Sequence, residues 1–476
     1  MAHLYVSAAH KSSGKTTVTL GLAAALARRG RIVQPFKKGP DYIDPMWHRH
    51  ASGRASINLD FNTQSHAEIR AAFAARMGAA DIGVIEGNKG LYDGMDVEGS
   101  DSNAALAKLL SAPVVLVLNA EGITRGVAPL VIGYQVFDPD VTIAGIILNS
   151  LVSSRQEAKM RAVLERYTDI PVIGAIGRTD DMRLTERHLG LVPPGEAAEK
   201  GEGGGPAGVI ARLSAAVAAG VDLDAIEAIA ATAPVITPGA PAAAVPASDL
   251  RIAVARDAAF GFTYADDLER FGQVGAELVF FDTMADPHLP DADGLFLPGG
   301  FPETHMAALE ANASLRADIR AAIAAGLPTY AECGGLMYLC RSIAWNGDKR
   351  EMVGTIPADA VMNRRPQGRG LVRLAATGEA PWQASAHRAG DLAAHEFHYA
   401  GLENLAPDCR FAWRVERGHG IDGARDGIVI GNCLANFTHL RHADASPWVD
   451  RFVAFARAVR DARQQPLAAA APAGRG

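Results

Sequence analysis

A stretch that could bind a nucleotide phosphate opens the chain. Residues 4–9 form an apolar run rich in β-forming residues, and an Ala/Leu-rich segment with helical periodicity begins at residue 18 and stops at Gly30. The loop between them can surround a phosphate with backbone N–H groups, while its lysine adds positive charge and a threonine hydroxyl ligates Mg²⁺. Residues 8 and 9 are alanines where such loops usually have a leading glycine, so a Ser/Gly turn that caps a helix is the alternative. The predicted phosphate-binding residues are Gly14, Lys15, Thr16 and Thr17.

Carboxylates follow the next predicted strands. Asp41 and Asp44 lie in a loop bounded by Gly and Pro after residues 32–38, and Glu86 ends the run 82–86. Asp93 follows in a glycine-rich loop. Phosphoryl transfer needs Mg²⁺ ligands and charge neutralisation more than it needs acid–base groups, so these carboxylates are candidates for both tasks. Solvated aspartates in a surface turn and a structural capping role for Glu86 are the alternatives.

A second candidate site lies around Cys333. An apolar run leads into Cys-Gly-Gly and then a helix-forming segment, which predicts a sharp turn that exposes the thiol at a helix N-terminus and favours thiolate. His439 follows another apolar run and could deprotonate this thiol. The glycine turn at Gly299 and Gly300, together with Gly334, offers backbone N–H groups for an oxyanion hole. A lone cysteine is more often an inert core residue, but the turn and the candidate base favour a nucleophile.

The segment His395-Glu396-Phe397-His398-Tyr399 invites a zinc interpretation, which we disfavour. In a strand the two histidines would project to opposite faces, and the HExxH spacing of a helical zinc site is absent.

Composition favours a small-molecule enzyme. The net charge of −7 predicts no basic face for a nucleic acid, and no apolar run approaches the length of a membrane span. The four cysteines show no disulfide-framework pattern, and no secretion signal is visible, so a reducing cytoplasm is expected. The sequence leaves a homodimer open.

At 476 residues the chain should divide into domains. Residues 1–230 alternate β-rich runs with helical segments, which predicts an α/β fold with a doubly wound parallel sheet whose ligands sit at the carboxyl ends of the strands. A Pro/Ala-rich linker is predicted at 231–249, a second α/β domain at 250–460 and a disordered tail at 461–476.

Together these motifs resemble the cobyrinic acid a,c-diamide synthase family across residues 3–455. The motifs that carry the resemblance are GPDYIDP at 39–45, Glu86 with GLYDG at 90–94, PGGFPE at 298–303, ECGG at 332–335 and HEFHY at 395–399. The resemblance implies an N-terminal P-loop domain like that of dethiobiotin synthetase and a C-terminal class I glutamine amidotransferase domain. It also implies that glutamine hydrolysis supplies ammonia, that ATP phosphorylates the a and c acetates of a cobyrinate-type tetrapyrrole, and that ammonia displaces the phosphate.

The resemblance also assigns roles to residues. Cys333 becomes the nucleophile and His439 its base. The expected Mg²⁺ ligands are Thr16, Asp44 and Glu86. The residues expected to serve the substrate or phosphoryl transfer are Asp41, Tyr42 and Asp93.

Departures from the family pattern leave alternatives open. Arg441 stands where many class I amidotransferases have the third triad residue, so we expect backbone contacts to orient the base. Lys11, Lys38 and Lys89 are either solvated surface lysines or contacts to a more carboxylate-rich substrate, which leaves sirohaem or a sirohydrochlorin chelate as the alternative substrate. A nucleotide-switch ATPase without amidase activity is a more remote alternative.

Overall fold

The computed structural model describes residues 1–179, 182, 184, 186–187, 190–199, 204–237, 245–382 and 392–464. The chain forms two compact units, residues 1–242 and 243–476.

The first unit is built on a seven-stranded sheet in which all neighbouring strands run parallel, in the order β3-β2-β4-β1-β5-β6-β7. Its strands are β1 (Ala2–Ala8), β2 (Val33–Lys38), β3 (Ile57–Leu59), β4 (Ile82–Glu86), β5 (Val114–Asn119), β6 (Ile143–Leu151) and β7 (Val172–Gly177). A separate antiparallel pair consists of β8 (Glu186–Arg187) and β9 (Gly190–Leu191). The predicted parallel sheet is confirmed, and the short β3 is an addition that the apolar pattern did not indicate.

Nine helices are described in this unit. They are α1 (Lys15–Arg28), α2 (Ile43–Ser52), α3 (His66–Met77), α4 (Asn103–Leu109), α5 (Val127–Phe137), α6 (Ser154–Tyr167), α7 (Pro194–Glu199), α8 (Gly205–Gly220) and α9 (Leu223–Ala231).

Packing in this unit follows from its composition. Residues 114–118 of β5 are all buried, as expected for a central strand of a parallel sheet. Helix α1 carries nine consecutive buried residues and lies close to α8. A Cβ at Gly21 would stand 2.4 Å from the Val217 side chain, so glycine at this position permits the close approach of the two helices.

The second unit contains a nine-stranded mixed sheet in the order β12-β10-β13-β15-β24-β23-β22-β19-β20. The neighbours from β12 to β24 are parallel and the remainder are antiparallel. The strands of the unit are β10 (Leu250–Ala255), β11 (Phe260–Phe262), β12 (Ala276–Phe281), β13 (Gly294–Leu297), β14 (Gly299–Gly300), β15 (Thr329–Glu332), β16 (Cys340–Trp345), β17 (Asp348–Glu351), β18 (Ile356–Met362), β19 (Gly368–Ala376), β20 (Leu392–His398), β21 (Ala400–Glu403), β22 (Arg410–Arg417), β23 (Arg425–Ile430) and β24 (Cys433–Asn436).

Smaller sheets and five helices make up the rest of the described part of this unit. One sheet has the order β17-β16-β18-β21, and another pairs β11 with β14. The helices are α10 (Ala265–Gln273), α11 (Met306–Ala311), α12 (Ala313–Ala324), α13 (Gly334–Leu339) and α14 (Trp448–Gln464), with a 3₁₀ turn at Pro302–Thr304.

Parts of the predicted linker and tail lie outside the described residues, namely 238–244 and 465–476. Helix α14 continues to Gln464, so residues 461–464 are helical rather than part of a disordered tail. The helix persists because its buried face, which includes Phe452 and Ala456, anchors it to the core. Within the described residues, no helix combines the length and apolarity that crossing a membrane requires.

Candidate active sites

The loop between β1 and α1 is held in one conformation by its own contacts. Ser12 and Gly14 have positive φ angles of 63° and 81°. Asn149 donates a hydrogen bond to the Ser13 carbonyl at 3.0 Å, and a Cβ at residue 14 would stand 2.0 Å from the same Asn149 amide. Thr17 donates back to the Gly14 carbonyl at 2.7 Å. The strand, loop and helix therefore occur in the predicted order, and Gly14 cannot accept a side chain without rearrangement.

Glu86 is the centre of a buried polar cluster beside this loop. Its side chain is fully buried, and Oε1 accepts a hydrogen bond from the Thr16 hydroxyl at 2.6 Å. The Lys15 ammonium lies 3.7 Å from the same oxygen. Strands β1 and β4 are parallel neighbours with Val6 opposite Glu86, so the carboxyl end of β4 meets the start of α1. The sheet thus brings together three predicted site residues.

Lys37 bridges the carboxylates of this cluster. Its ammonium lies 2.5 Å from Asp44 Oδ2, 3.1 Å from Glu86 Oε1 and 3.8 Å from Asp41 Oδ2. No site role was predicted for Lys37, although the position of Lys37 directly before the loop with Asp41 could have indicated such a role. Burial opposes its charge, but Asp44, Glu86 and Asp41 together raise the pKa of Lys37 far above its usual value. Lys37 is therefore a fixed cation at the centre of the cluster.

His48 is a second residue that sequence reasoning missed. Its Nε2 lies 2.7 Å from Glu86 Oε2, and its Nδ1 lies 3.0 Å from the Ser56 hydroxyl. His48 follows Asp44 by one helical turn on α2, so the i, i+4 spacing could have placed both on one face of the helix. His48 and Thr16 contact different oxygens of Glu86, which fixes the orientation of that carboxylate.

Electrostatics set the protonation of the cluster. Burial would raise the pKa of Glu86, but Lys37, the His48 hydrogen bond and Lys15 hold it well below its usual value. Burial, followed by the negative charge of Asp44, raises the pKa of Asp41 to about 7. Burial lowers the pKa of Lys15, against the attraction of Glu86. Glu86 therefore stays ionised while Asp41 can exchange a proton near neutral pH.

Two of the three predicted magnesium ligands lie next to each other. Thr16 Oγ1 and Glu86 Oε1 are adjacent oxygen donors of the kind Mg²⁺ prefers. Asp44 faces the Lys37 ammonium, which lies between it and Glu86. Across the described part of the chain, no group of three His, Cys, Asp or Glu side chains is arranged for a metal ion. Thr16 and Glu86 fit the role, while Asp44 would first have to leave Lys37.

The remaining N-terminal candidates differ in burial. Tyr42 is buried at the start of α2, whereas Asp93 is exposed and accepts a hydrogen bond from Gly90 of its own loop at 2.9 Å. Lys11 and Lys89 are exposed, as solvated lysines would be. Lys38 is only 7% exposed, and burial lowers its pKa, so the surface interpretation is wrong for this lysine.

In the second unit, Cys333 stands at a strained turn between β15 and α13. Its φ of 46° and ψ of −101° depart from both strand and helix geometry. A Cβ at Gly335 would lie 2.1 Å from the Leu297 carbonyl, and one at Gly334 would lie 2.9 Å from the Gly300 nitrogen. The two glycines allow the turn to press against β13 and β14. The thiol was expected to be exposed, but Cys333 is only 6% exposed because these strands enclose the turn.

The three predicted oxyanion-hole glycines lie around this cysteine. The backbones of Gly300 and Gly334 approach each other closely, since a Cβ at Gly334 would lie 2.9 Å from the Gly300 nitrogen. A Cβ at Gly299 would lie 2.5 Å from His439 Cε1. Their backbones therefore border both the nucleophile turn and the candidate base, while oxyanion binding itself stays a prediction.

His439 lies just beyond β24, and the Cys333 side chain is among the groups that raise its pKa. Its backbone pairs with that of His395, with a hydrogen bond of 2.8 Å from the His439 N–H. Glu332 Oε2 lies 3.4 Å from its Nδ1. Burial alone would lower the pKa of His439, but interactions with Cys333 and Glu332 raise it to about 10. The backbone pairing with His395 fixes the main chain at His439, while orientation of the ring by backbone contacts stays a prediction. The Glu332 carboxylate, to which the sequence assigned no role, also faces the ring.

The two histidines of the HEFHY segment have separate environments in β20. The His395 ring stacks on the His439 ring with centroids 4.9 Å apart, and the His398 ring stacks on Phe437 at 4.1 Å. The two imidazole rings therefore pack against different side chains.

Comparison with known proteins identifies a domain family for each half of the chain and a family for the chain as a whole. A family described as the CobQ/CobB/MinD/ParA nucleotide binding domain matches residues 6–192, and the CobB/CobQ-like glutamine amidotransferase domain matches residues 251–447. The cobyrinate a,c-diamide synthase of Magnetococcus marinus is 43% identical over 95% of this chain and 97% of its own length. The chain belongs to the cobyrinate a,c-diamide synthase family. It is therefore an enzyme, a ligase of the glutamine amidotransferase type, with a nucleotide-binding domain.

Archaeal members of the family are similar over comparable lengths. The cobyrinate a,c-diamide synthase of Methanosarcina acetivorans is 40% identical over 91% of both chains. That of Archaeoglobus fulgidus is 39% identical over 92% of this chain and 94% of its own. The resemblance inferred from the motifs is confirmed.

Proposed function

We propose that this enzyme amidates the a and c acetate carboxylates of cobyrinate, using ATP and the amide nitrogen of glutamine. The observation that carries the proposal is the presence of two separate constellations on one chain. One is the phosphate loop with Lys15, Thr16 and Glu86, and the other is Cys333, in its strained turn, with His439. The names of the family members support cobyrinate as the substrate.

The N-terminal site activates the carboxylate. A carboxylate is a poor electrophile because oxide would have to leave, whereas an acyl phosphate releases phosphate readily. Lys15 and the N–H groups at the start of α1 bind the ATP phosphates, and Lys15 stabilises charge on the phosphoryl group in transfer. Thr16 and Glu86 would hold Mg²⁺, which neutralises phosphate charge when bound. Lys37 keeps its positive charge beside this site, held by Asp44 and Glu86.

Amide formation completes the first half of the chemistry. The substrate oxygen attacks the γ-phosphorus of ATP, ADP leaves, and an acyl phosphate forms. Ammonia then attacks the acyl carbon, and phosphate leaves with the oxygen that the carboxylate had carried. Ammonia loses a proton in this step, and Asp41, whose pKa burial and Asp44 raise to about 7, is able to accept it. Tyr42 and Asp93 remain the residues we assign to substrate contact.

The C-terminal site supplies the ammonia. The Cys333 sulfur attacks the carboxamide carbon of glutamine, and the proton held by His439 passes to the departing ammonia. Water then hydrolyses the thioester to glutamate and restores the thiol. Backbone N–H groups at Gly299, Gly300 and Gly334 stabilise the negative oxygen of the tetrahedral intermediates.

The four cysteines form no disulfide with one another, which supports a reducing compartment, the cytoplasm. The homodimer stays a prediction.

Mass spectrometry tests the proposal directly. The purified protein receives ATP, Mg²⁺ and glutamine with cobyrinate in one reaction and sirohaem in another. Each conversion replaces a hydroxyl by an amino group, so amidation of a and c gives two equal steps in product mass. Amidation of cobyrinate alone supports the proposal, whereas amidation of sirohaem alone contradicts it and makes the alternative substrate the correct one.

A further inference from the structure

Glu332 faces the imidazole of His439 from the position directly before the nucleophile. Its Oε2 lies 3.4 Å from His439 Nδ1, and the two side chains are 4% and 3% exposed. Its other oxygen, Oε1, accepts hydrogen bonds from the Tyr330 hydroxyl at 2.5 Å and the Leu440 N–H at 2.9 Å. The carboxylate is thus fixed by one oxygen while the other points to the histidine.

The strained turn explains how neighbouring side chains reach the same ring. In a regular strand, residues 332 and 333 would project to opposite faces of the sheet. At Cys333 the backbone turns to a φ of 46°, and the Cys333 side chain is among the groups that raise the pKa of the His439 ring. Because Nδ1 faces Glu332, we assign the contact with the thiol to Nε2. Carboxylate, imidazole and thiol then form one chain of contacts.

We propose that Glu332 is the positioning residue of the Cys333 site, holding His439 in the orientation and tautomer in which Nε2 exchanges the proton of the thiol. The negative charge of Glu332 also stabilises the imidazolium that forms when His439 takes the proton of the Cys333 thiol. This proposal rests on the proposed function, since it assigns a role within glutamine hydrolysis. Arg441, two residues after His439, instead pairs with Asp266 at 2.6 Å.

The other groups around His439 leave this role to Glu332. His395 stacks on its ring, and burial, followed by the charges of His439 and Arg441, lowers the pKa of His395 well below its usual value. His395 is therefore neutral and neither repels nor stabilises an imidazolium strongly. Glu332 supplies a negative charge next to Nδ1, and its bond helps to raise the pKa of His439 to about 10.

The variant Glu332→Gln tests the proposal because it keeps the size of the side chain and removes its charge. We expect the kcat of glutamine hydrolysis to fall by about 10²-fold or more, with the KM for glutamine changed less than about threefold. Amidation driven by added ammonia should be unchanged. The pKa of His439, followed by NMR of the imidazole, should fall. Glu277→Gln makes the same change on an exposed residue of β12 and should leave all four quantities as in the wild type.

Two results would overturn this proposal without affecting the proposed function. One is a Glu332→Gln enzyme whose kcat for glutamine hydrolysis is within about threefold of the wild type, and the other is an equal loss of glutamine-driven and ammonia-driven amidation. A wild type that hydrolyses no glutamine would overturn the proposed function and this proposal with it. If Glu332→Gln does not fold, Glu332→Asp is the variant to test. Its side chain is one methylene shorter, so its carboxylate lies farther from His439 Nδ1. Unchanged kcat in that variant would overturn the proposal.

Discussion

The hydroxyl of Thr16 lies 2.6 Å from Oε1 of Glu86, although 70 residues separate them in the chain. Parallel pairing of β1 with β4 brings the end of one strand to the helix that begins after the other. The contact joins the phosphate loop to the buried cluster of Lys15, Lys37 and His48 around Glu86. The predicted phosphate loop and the carboxylate cluster are therefore neighbours in the first unit.

Replacing Lys15 by alanine should abolish ATP-dependent amidation with either nitrogen source. Loss of the lysine that stabilises the phosphoryl group should slow amidation by about 10²-fold or more. The measurement is product formation with glutamine and with ammonia, on a variant whose circular dichroism matches the wild type. Lys159→Ala removes an exposed lysine of helix α6 and is the matched control. Retained amidation in Lys15→Ala would refute the assignment of the phosphate loop.

Glu86→Gln should destabilise the first unit as well as stop amidation. It removes the buried charge that Lys37 and Lys15 face, and breaking a buried ion pair typically costs about 3–5 kcal/mol of unfolding free energy. Urea unfolding measures this change. Glu121→Gln breaks the exposed pair with Arg178 and should cost less than about 1 kcal/mol. Equal stability losses in the two variants would show that the cluster is not a buried charge network.

Gly14→Ala should weaken ATP binding and lower stability by about 1–2 kcal/mol or more. Residue 14 has a φ of 81°, and the new Cβ would lie 2.0 Å from the Asn149 amide. Isothermal titration with an ATP analogue and thermal unfolding measure the two effects. Gly133→Ala adds a Cβ to helix α5 where no atom lies within 4 Å, and it should be neutral or slightly stabilising. Unaltered ATP binding in Gly14→Ala would mean that this loop does not contact phosphate.

The stabilising effect of His439 should disappear as pH rises. Its bonds to Cys333 and Glu332 raise its folded-state pKa to about 10 from 6.5, so the charged ring favours the folded state. This contribution is fully present below about pH 6.5 and is lost as pH rises to about 10. The difference in unfolding free energy between the wild type and His439→Asn should shrink over that range. A constant or growing difference would contradict the charged pairing.

The sequence predicted the elements of the first unit because they depend on local pattern. Residues 82–86 read as a strand that ends in Glu86, and the structure has that strand with the same bounds. Helix α1 begins at Lys15, inside the Gly-Lys-Thr-Thr run and before the predicted helical segment that starts at residue 18. The order of the strands in the sheet then brings Thr16 to Glu86, which makes the general location of the site predictable.

Contacts that depend on side-chain direction could not be predicted in this way. Lys37 precedes the GPDYIDP segment in the sequence, but only the structure shows its ammonium between Asp44 and Glu86. Glu332 was overlooked because adjacent strand residues normally face opposite sides, and the positive φ of Cys333 reverses that expectation. Burial of the thiol likewise depends on β13 and β14, which are distant in sequence.

The choice of nitrogen source by the Cys333→Ser variant tests whether glutamine hydrolysis at Cys333 supplies ammonia to a separate phosphorylating site. The measurement is mass spectrometry of cobyrinate after reaction with ATP, Mg²⁺ and either glutamine or a high concentration of ammonia, with Cys409→Ser as a control in the same unit. We expect the Cys333→Ser enzyme to form no diamide from glutamine but to form it from ammonia at the wild-type rate. Equal loss with both sources, or full activity with glutamine, would contradict it.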